Sequence, residues 1–187
     1  MANRNKELTM PSNHIRLVSV CAAVVWLAGC ASAPNEQALV VDDTSFATRH
    51  PYSVSISTSG GGETSATGYT NISNEDLAAA IEESITKSGL FSSVVKGDGA
   101  DYKLSVSLIS MSKPMFGFSF TIDMEMAWSL VNARTGDIVM RESIKSSHTA
   151  SAGEAFAAVT RIRLAVEGAA QDNIRQGLQK IAALSLD

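Results

Sequence analysis

The chain has 187 residues, which is enough for one ordinary domain with additional segments. Hydrophobic residues make up 45% of it and charged residues 18%, a composition typical of a globular protein that can build a core. The net charge is −4, and residues 30–187 carry 12 Lys and Arg against 18 Asp and Glu. This balance argues against nucleic-acid binding and against electrostatic attachment to anionic lipid, because both need clustered basic residues.

The N-terminal segment has the features of a signal peptide. Residues 1–16 are polar and net basic, with Met10 as an alternative start, and an apolar run of 12 residues follows from Leu17 to Ala28. That run is too short to cross a membrane, which takes about 20 residues, but it suits the hydrophobic region of a signal peptide. The alternative interpretation is a buried N-terminal helix.

Residues 27–30 (Leu-Ala-Gly-Cys) end the apolar run and resemble the lipobox of bacterial lipoproteins. The resemblance implies that the Cys30 thiol carries a diacylglycerol, that cleavage removes residues 1–29, and that the new amino group is acylated. Each acyl chain contributes roughly 0.8 kcal/mol per buried CH₂, so two or three chains anchor a protein firmly. In the Gram-negative sorting pattern, Ala31 instead of Asp implies the outer membrane, facing the periplasm.

Residues 30–51 are predicted to be the lipidated cysteine followed by a tether. Twenty flexible residues have a root-mean-square span of about 25 Å, which would let a domain stand away from the membrane. Leu39–Val41 is a candidate edge strand within this tether. After cleavage Cys30 is the one cysteine left, so no intramolecular disulfide is expected.

The next elements are a strand, a helix and two further strands. Tyr52–Thr58 alternates between apolar and polar residues, as a half-buried strand does. Ser73 begins a helix with acidic residues in its first turn, and Gly89 suits its end. A short strand at Val94–Val95 and an alternating strand at Tyr102–Leu108 follow.

The C-terminal half contains a predicted hairpin and a long helix. Phe118–Leu130 alternates without a break, and a turn leads to a strand over Ile138–Thr149. Ser151 and Glu154 form a capping-box pattern before a helix predicted over Ala152–Leu184, with Phe156 and Val159 in its apolar stripe. Such a helix would be about 50 Å long, so we expect a bend or break near Gly168 or Gly177, or a tip that reaches a partner.

These elements predict an α+β domain over residues 52–187. The expected architecture is an antiparallel sheet of about four to five strands, with a crossover helix and a long C-terminal helix packed on one face.

The layout resembles small envelope lipoproteins that share the TolB N-terminal-like arrangement. They include PqiC-like auxiliary lipoproteins of ABC-type transport systems and the LpoB activators of peptidoglycan synthases. The residues that carry the resemblance are 27–30, 73–91 and 118–147. It implies a non-enzymatic role in envelope transport or assembly, with an envelope protein as partner.

No catalytic or metal-binding constellation is evident, so we expect neither enzyme activity nor a cofactor. His50 and His148 lack further ligands at metal-binding spacing, and solvated side chains are expected for both. Asp123 and Glu125 share one strand face, where paired carboxylates could perform glycosidase chemistry, but a solvated sheet face is favoured.

Two features suggest binding. Met115 and Phe116 lie in an apolar loop, where they could contact a partner or a membrane or fold back onto the sheet. The alternating apolar face of Phe118–Trp128 is rich in Met and aromatic residues, and it is either core or a lipid groove. The main hypothesis is therefore a membrane-anchored auxiliary subunit. The alternative is a periplasmic carrier of a lipid or other hydrophobic ligand.

Overall fold

The computed structural model describes residues 34–42, 44–62, 71–112 and 117–187. They form three helices: α1 (Glu36–Leu39), α2 (Asn74–Ser88) and α3 (Ala158–Ala182). They also form five strands: β1 (His50–Ser59), β2 (Phe91–Val94), β3 (Tyr102–Met111), β4 (Phe120–Asn132) and β5 (Ile138–Ala150).

The five strands form one sheet in the order β2-β1-β3-β4-β5. β3, β4 and β5 are antiparallel neighbours, whereas β1 lies parallel to both β2 and β3. The predicted α+β class and strand number are confirmed, but the sheet is mixed and not wholly antiparallel. The reason is the crossover through α2, which returns the chain beside β1 in the same direction.

The junction of β1 and β3 is held by a carboxylate. The backbone N–H and the hydroxyl of Ser53 donate to Asp101 Oδ2 at 2.8 and 2.7 Å. These hydrogen bonds, the backbone one foremost, lower the pKa of the Asp101 carboxyl. The contact sets the register of two parallel strands at the point where β3 begins.

Helix α2 has the ends predicted for it. Ser73 Oγ accepts the N–H of Asp76 at 2.9 Å, and Gly89 ends the helix with a φ of 63°. Leu77, Ile81 and Ile85 are fully buried on the face turned to the sheet.

The segment before β1 packs on the domain. Leu39 is 0% exposed, and the tether predicted for residues 30–51 is therefore part of the core at residues 39–41. α1 lies between the other two helices: the Ala38 carbonyl accepts from Gln171 Nε2, and the Val41 N–H donates to Ser84 Oγ. The candidate edge strand is wrong, because these apolar residues fill the gap between α2 and α3.

Helix α3 begins later than predicted. Ser151 and Glu154 do pair, through hydrogen bonds of 2.6 and 2.9 Å to the Glu154 carboxylate, but they close a turn and not a helix. These bonds lower the pKa of the Glu154 carboxyl. The helix starts at Ala158 after an N-cap, Ala157, that has no side-chain hydrogen bond. Its 25 residues span about 38 Å at 1.5 Å per residue, which fits the domain.

The two glycines in α3 permit close packing and do not interrupt the helix. A Cβ atom at Gly168 would stand 2.3 Å from the His148 ring, and one at Gly177 would stand 2.5 Å from the Trp128 ring. The predicted break is therefore wrong, because glycine here makes room for a ring from the sheet.

The Met/aromatic face of β4 is buried. Its residues from the start of the strand onward are at most 3% exposed: Phe120, Ile122, Met124, Met126, Trp128 and Leu130. α3 covers it with buried residues that include Ile162, Val166 and Ala169. Burial beneath helices, one of the two interpretations of this face, is confirmed.

Candidate functional site

Three predicted site residues lie outside the described part of the chain: Cys30, Met115 and Phe116. The lipidation site and the apolar loop therefore stay predictions. In the described part, no helix is long and apolar enough to cross a membrane.

The sheet face opposite the helices is built from hydroxyl side chains, and we call it the hydroxyl face. In the strand registers, Ser57 lies beside Ser105, Ser105 beside Ser129, and Thr121 beside Thr149. Hydroxyls of neighbouring strands hydrogen-bond to each other, as between Ser57 and Ser105 at 3.0 Å and between Thr121 and Thr149 at 2.8 Å. The face is polar, and it combines these small hydroxyl side chains with longer charged ones such as Arg141 and Lys145.

The carboxylates of Asp123 and Glu125 lie on this hydroxyl face, and both contact side chains of β5. Glu125 accepts from the Ser143 hydroxyl at 2.5 Å and lies 3.9 Å from Lys145 Nζ. Asp123 accepts from the Ser147 hydroxyl at 2.8 Å. These contacts account for both carboxylates as cross-strand partners within the sheet.

A pocket of about 760 Å³ is lined by the end of β3, the first part of β4, the last part of β5 and the middle of α3. Most of its lining residues are polar or charged, including Ser112, Asp123, Glu125, Lys145, Asp172 and Arg175. The surface that the lining exposes is nevertheless more apolar than polar, and Met111 and Met124 belong to it. Arg175 is held by Asp172 at 2.6 Å. Such a lining offers both polar and apolar contacts to a ligand.

The histidines are separate from each other. His50 was predicted to be solvated but is 4% exposed, with its Nε2 3.0 Å from the Ile181 carbonyl and its ring 5.3 Å from Phe91. His50 lies two residues before Tyr52 in β1, on the same side of the strand. Extending the predicted strand backward by two residues would therefore have predicted its burial. His148 lies half-exposed, 3.6 Å from Asp172.

No three His, Cys, Asp or Glu side chains within the described ranges lie close enough together to hold a metal ion. One acid is nevertheless unusual: Glu167 of α3 is 9% exposed, and burial raises the pKa of its carboxyl against the opposing effect of Arg163. It lies 3.7 Å from Arg163 on the same helix. That i,i+4 spacing is typical of a structural pair.

Two phenylalanines are exposed where burial was expected. Phe118 is 87% exposed because β4 begins two residues later, after a bend that follows Gly117. Phe156 is 100% exposed because α3 begins only at Ala158, and Val159 is half-buried. Both lie outside the regular elements whose periodicity was used to place them.

Comparison with solved structures shows the same fold in other bacterial proteins. A DUF330-family protein from Xanthomonas campestris matches with a TM-score of 0.56 and 12% identity, covering 74% of this chain and 87% of that chain. The hypothetical protein CT253 from Chlamydia trachomatis matches with a TM-score of 0.52 and 8% identity, covering 71% and 96%. At such identities the likeness shows the fold alone.

A minor lipoprotein from Acinetobacter baumannii matches more weakly, with a TM-score of 0.45 and 10% identity over 70% of this chain and 90% of that chain. We base no argument on it. No family model matches the chain, and no curated protein matches it by sequence. The TolB-like and PqiC-like resemblance therefore stays a prediction.

Proposed function

We propose that this chain is a bacterial envelope lipoprotein whose folded domain serves as a non-enzymatic auxiliary subunit in transport or assembly. In this proposal lipid on Cys30 holds the protein to the outer membrane, facing the periplasm. The observation that carries the anchor is the lipobox at residues 27–30 directly after an apolar run of signal-peptide length. The α+β domain from residue 34 onward is the part that meets a partner.

The subunit role draws its support from the surface of the domain. The hydroxyl face packs against none of the three described helices, since these share one core with the apolar face. A polar sheet face of hydroxyl and charged side chains offers many hydrogen-bonding groups to a protein that packs against it. The carrier alternative loses its main support, because the Met/aromatic face from Phe120 onward is core.

The anchor is tested by Cys30→Ser. The wild-type protein should appear at mature size in the membrane fraction and incorporate a palmitate analogue, because the thiol must be lipidated before cleavage. Cys30→Ser should appear at precursor size without label. Cys21→Ser, inside the signal peptide, is the matched control and should be processed and labelled normally. Mature-size, membrane-bound Cys30→Ser protein would refute the lipidation proposal.

The subunit role is tested by cross-linking from the hydroxyl face in intact cells. A photo-reactive residue at Ser105 or Ser129 should give a discrete adduct with one envelope protein, identified by mass spectrometry. The same residue at exposed Gln37, on α1, is the control for random collision and should not give that adduct. Identical adduct patterns from both surfaces, or none from the hydroxyl face, would argue against this face as the partner surface.

A further inference from the structure

We propose that the end of the domain bearing Phe118 and Phe156 rests on the lipid bilayer, so that these rings add an apolar contact to the lipid anchor. We call this the aromatic end. The inference rests on the proposed lipidation of Cys30, and it adds a membrane-facing surface and an orientation of the domain.

The aromatic end exposes apolar side chains from two segments of the chain. Phe118 and Phe156 are 87% and 100% exposed, and Ala157 and Ala158, which follow Phe156, are exposed as well. The nearby carboxylate of Glu154 is engaged by Ser151. Exposed phenylalanines clustered in this way are typical of surfaces that meet a partner or a membrane.

Phe118 and Phe156 lie at the same end of the sheet. β4 and β5 pair Phe120 with Ala150, which brings the segments on either side of Phe118 and Phe156 together. Arg161 then links them: its guanidinium lies 5.4 Å from the Phe120 ring centroid.

Arg161 also fixes the segment before α3. Its Nη1 donates to the carbonyl oxygens of Ala155 and Phe156 at 2.9 and 2.7 Å. Since Arg161 is only 7% exposed, these bonds are shielded from water. Phe156 is therefore presented to the outside by a fixed backbone.

The anchor lies close to the domain. Pro34 is buried, and three residues separate it from Cys30. At 3.3–3.6 Å per residue, the four steps from Cys30 to Pro34 span at most about 14 Å. The lipid therefore cannot hold the domain far from the bilayer, whatever the conformation of the link.

The chain ahead of β1 runs away from the aromatic end. Ala38 bonds to Gln171, near the middle of α3, and from there the chain runs to His50, whose N–H donates to the Leu90 carbonyl beyond the end of α2. The aromatic end, with the start of β4 and the residues before α3, is the opposite end of the sheet, at which α2 and α3 begin.

Lipid is the occupant favoured by distance and charge. The bilayer is the apolar phase within reach of a 14 Å link, and burying a phenylalanine side chain contributes roughly 1.5–3 kcal/mol. Arg161, which bonds to the Phe156 carbonyl, is only 7% exposed, so the contact should be apolar and should not depend on salt.

The test uses the mature protein, residues 30–187 with lipid on Cys30, in vesicles of phosphatidylethanolamine and phosphatidylglycerol. A nitroxide is attached at Phe118→Cys or Phe156→Cys, and at Thr135→Cys in the turn between β4 and β5 at the opposite end of the sheet as control. The ratio of oxygen to nickel-complex collisions should be several-fold higher at the aromatic end than at position 135. It should stay so in 1 M NaCl.

A second variant removes the dependence on the label itself. With the nitroxide at Ala157→Cys, replacing both Phe118 and Phe156 by serine should lower the collision ratio to that of position 135. Equal ratios at both ends of the domain, or a ratio abolished by salt, would overturn the proposal. Labels that are shielded in native membranes but not in pure lipid would indicate a protein on this surface and overturn it too.

Mass spectrometry of Cys30 in the same sample separates this test from that of the proposed function. An acylated cysteine with labels exposed to water refutes the contact and leaves the anchor standing. An unacylated cysteine refutes the anchor and, with it, the contact that rests on the anchor.

Discussion

Gly177→Ala is expected to lower the free energy of unfolding by about 1–3 kcal/mol, although alanine is the better helix former by about 1 kcal/mol. The added Cβ would stand 2.5 Å from Trp128 Cζ2 and 2.6 Å from two further ring atoms. Trp128 is 0% exposed and its Nε1 is bonded to Asn173, so the ring has no space to withdraw into. The helix must therefore move off the sheet, which separates packed core residues.

Gly168→Ala is the matched control for this substitution. Its Cβ would meet the His148 ring at 2.3 Å, but the His148 side chain is 39% exposed and can turn toward solvent. Urea denaturation should therefore show a clearly smaller loss for Gly168→Ala than for Gly177→Ala. Equal losses, or a more stable Gly177→Ala variant, would show that the tryptophan pocket yields and that our account of the glycine is wrong.

Asn173→Ala is expected to have the largest effect, on the order of 3 kcal/mol or more. Asn173 is fully buried and joins three groups: it accepts from Trp128 Nε1 at 3.0 Å and donates to the Ile144 carbonyl at 2.8 Å and to Ser146 Oγ at 3.2 Å. Alanine would remove the hydrogen-bond acceptor of the Trp128 indole N–H and the side-chain donor to the Ile144 carbonyl oxygen. Each buried polar group that loses its partner costs about 1–3 kcal/mol.

A double-mutant cycle with Trp128→Phe isolates one of these bonds. Phenylalanine removes the indole N–H, so Asn173→Ala should cost less in the Trp128→Phe background than in the wild type. The free energies of unfolding of the four proteins, from urea titration, give the coupling. Strict additivity would show that the bond between the two side chains adds nothing to stability.

Helix α2 and strand β4 could be predicted because their signals are local. Ser73 and Gly89 mark the two ends of α2, and the unbroken alternation after Phe118 marks β4 and its buried face. The parallel pairing of β1 with both neighbours could not be predicted. It depends on which distant strands meet, and a single strand's alternation carries no information on its partners.

The candidate sites divide in the same way. The predicted lipobox is a run of four adjacent residues, so the sequence alone is enough to propose it. The pocket is assembled from three strands and a helix, at residues near positions 111, 124, 146 and 174. No local sequence pattern shows that these four segments meet. Phe156 was misplaced because a capping pattern can close a turn as well as start a helix. The helical period continues backward through residues that are not helical.

The docking of α1 between the two long helices gives the domain a mechanical property. Any pull on the chain ahead of Pro34 reaches the fold through the Ala38 carbonyl, the Leu39 side chain and the Val41 amide, in that order. These contacts lie in series along the chain, so a load detaches them one after another and is not shared among them. We therefore expect α1 to detach from the two long helices before the load reaches β1, so that the sheet stays folded.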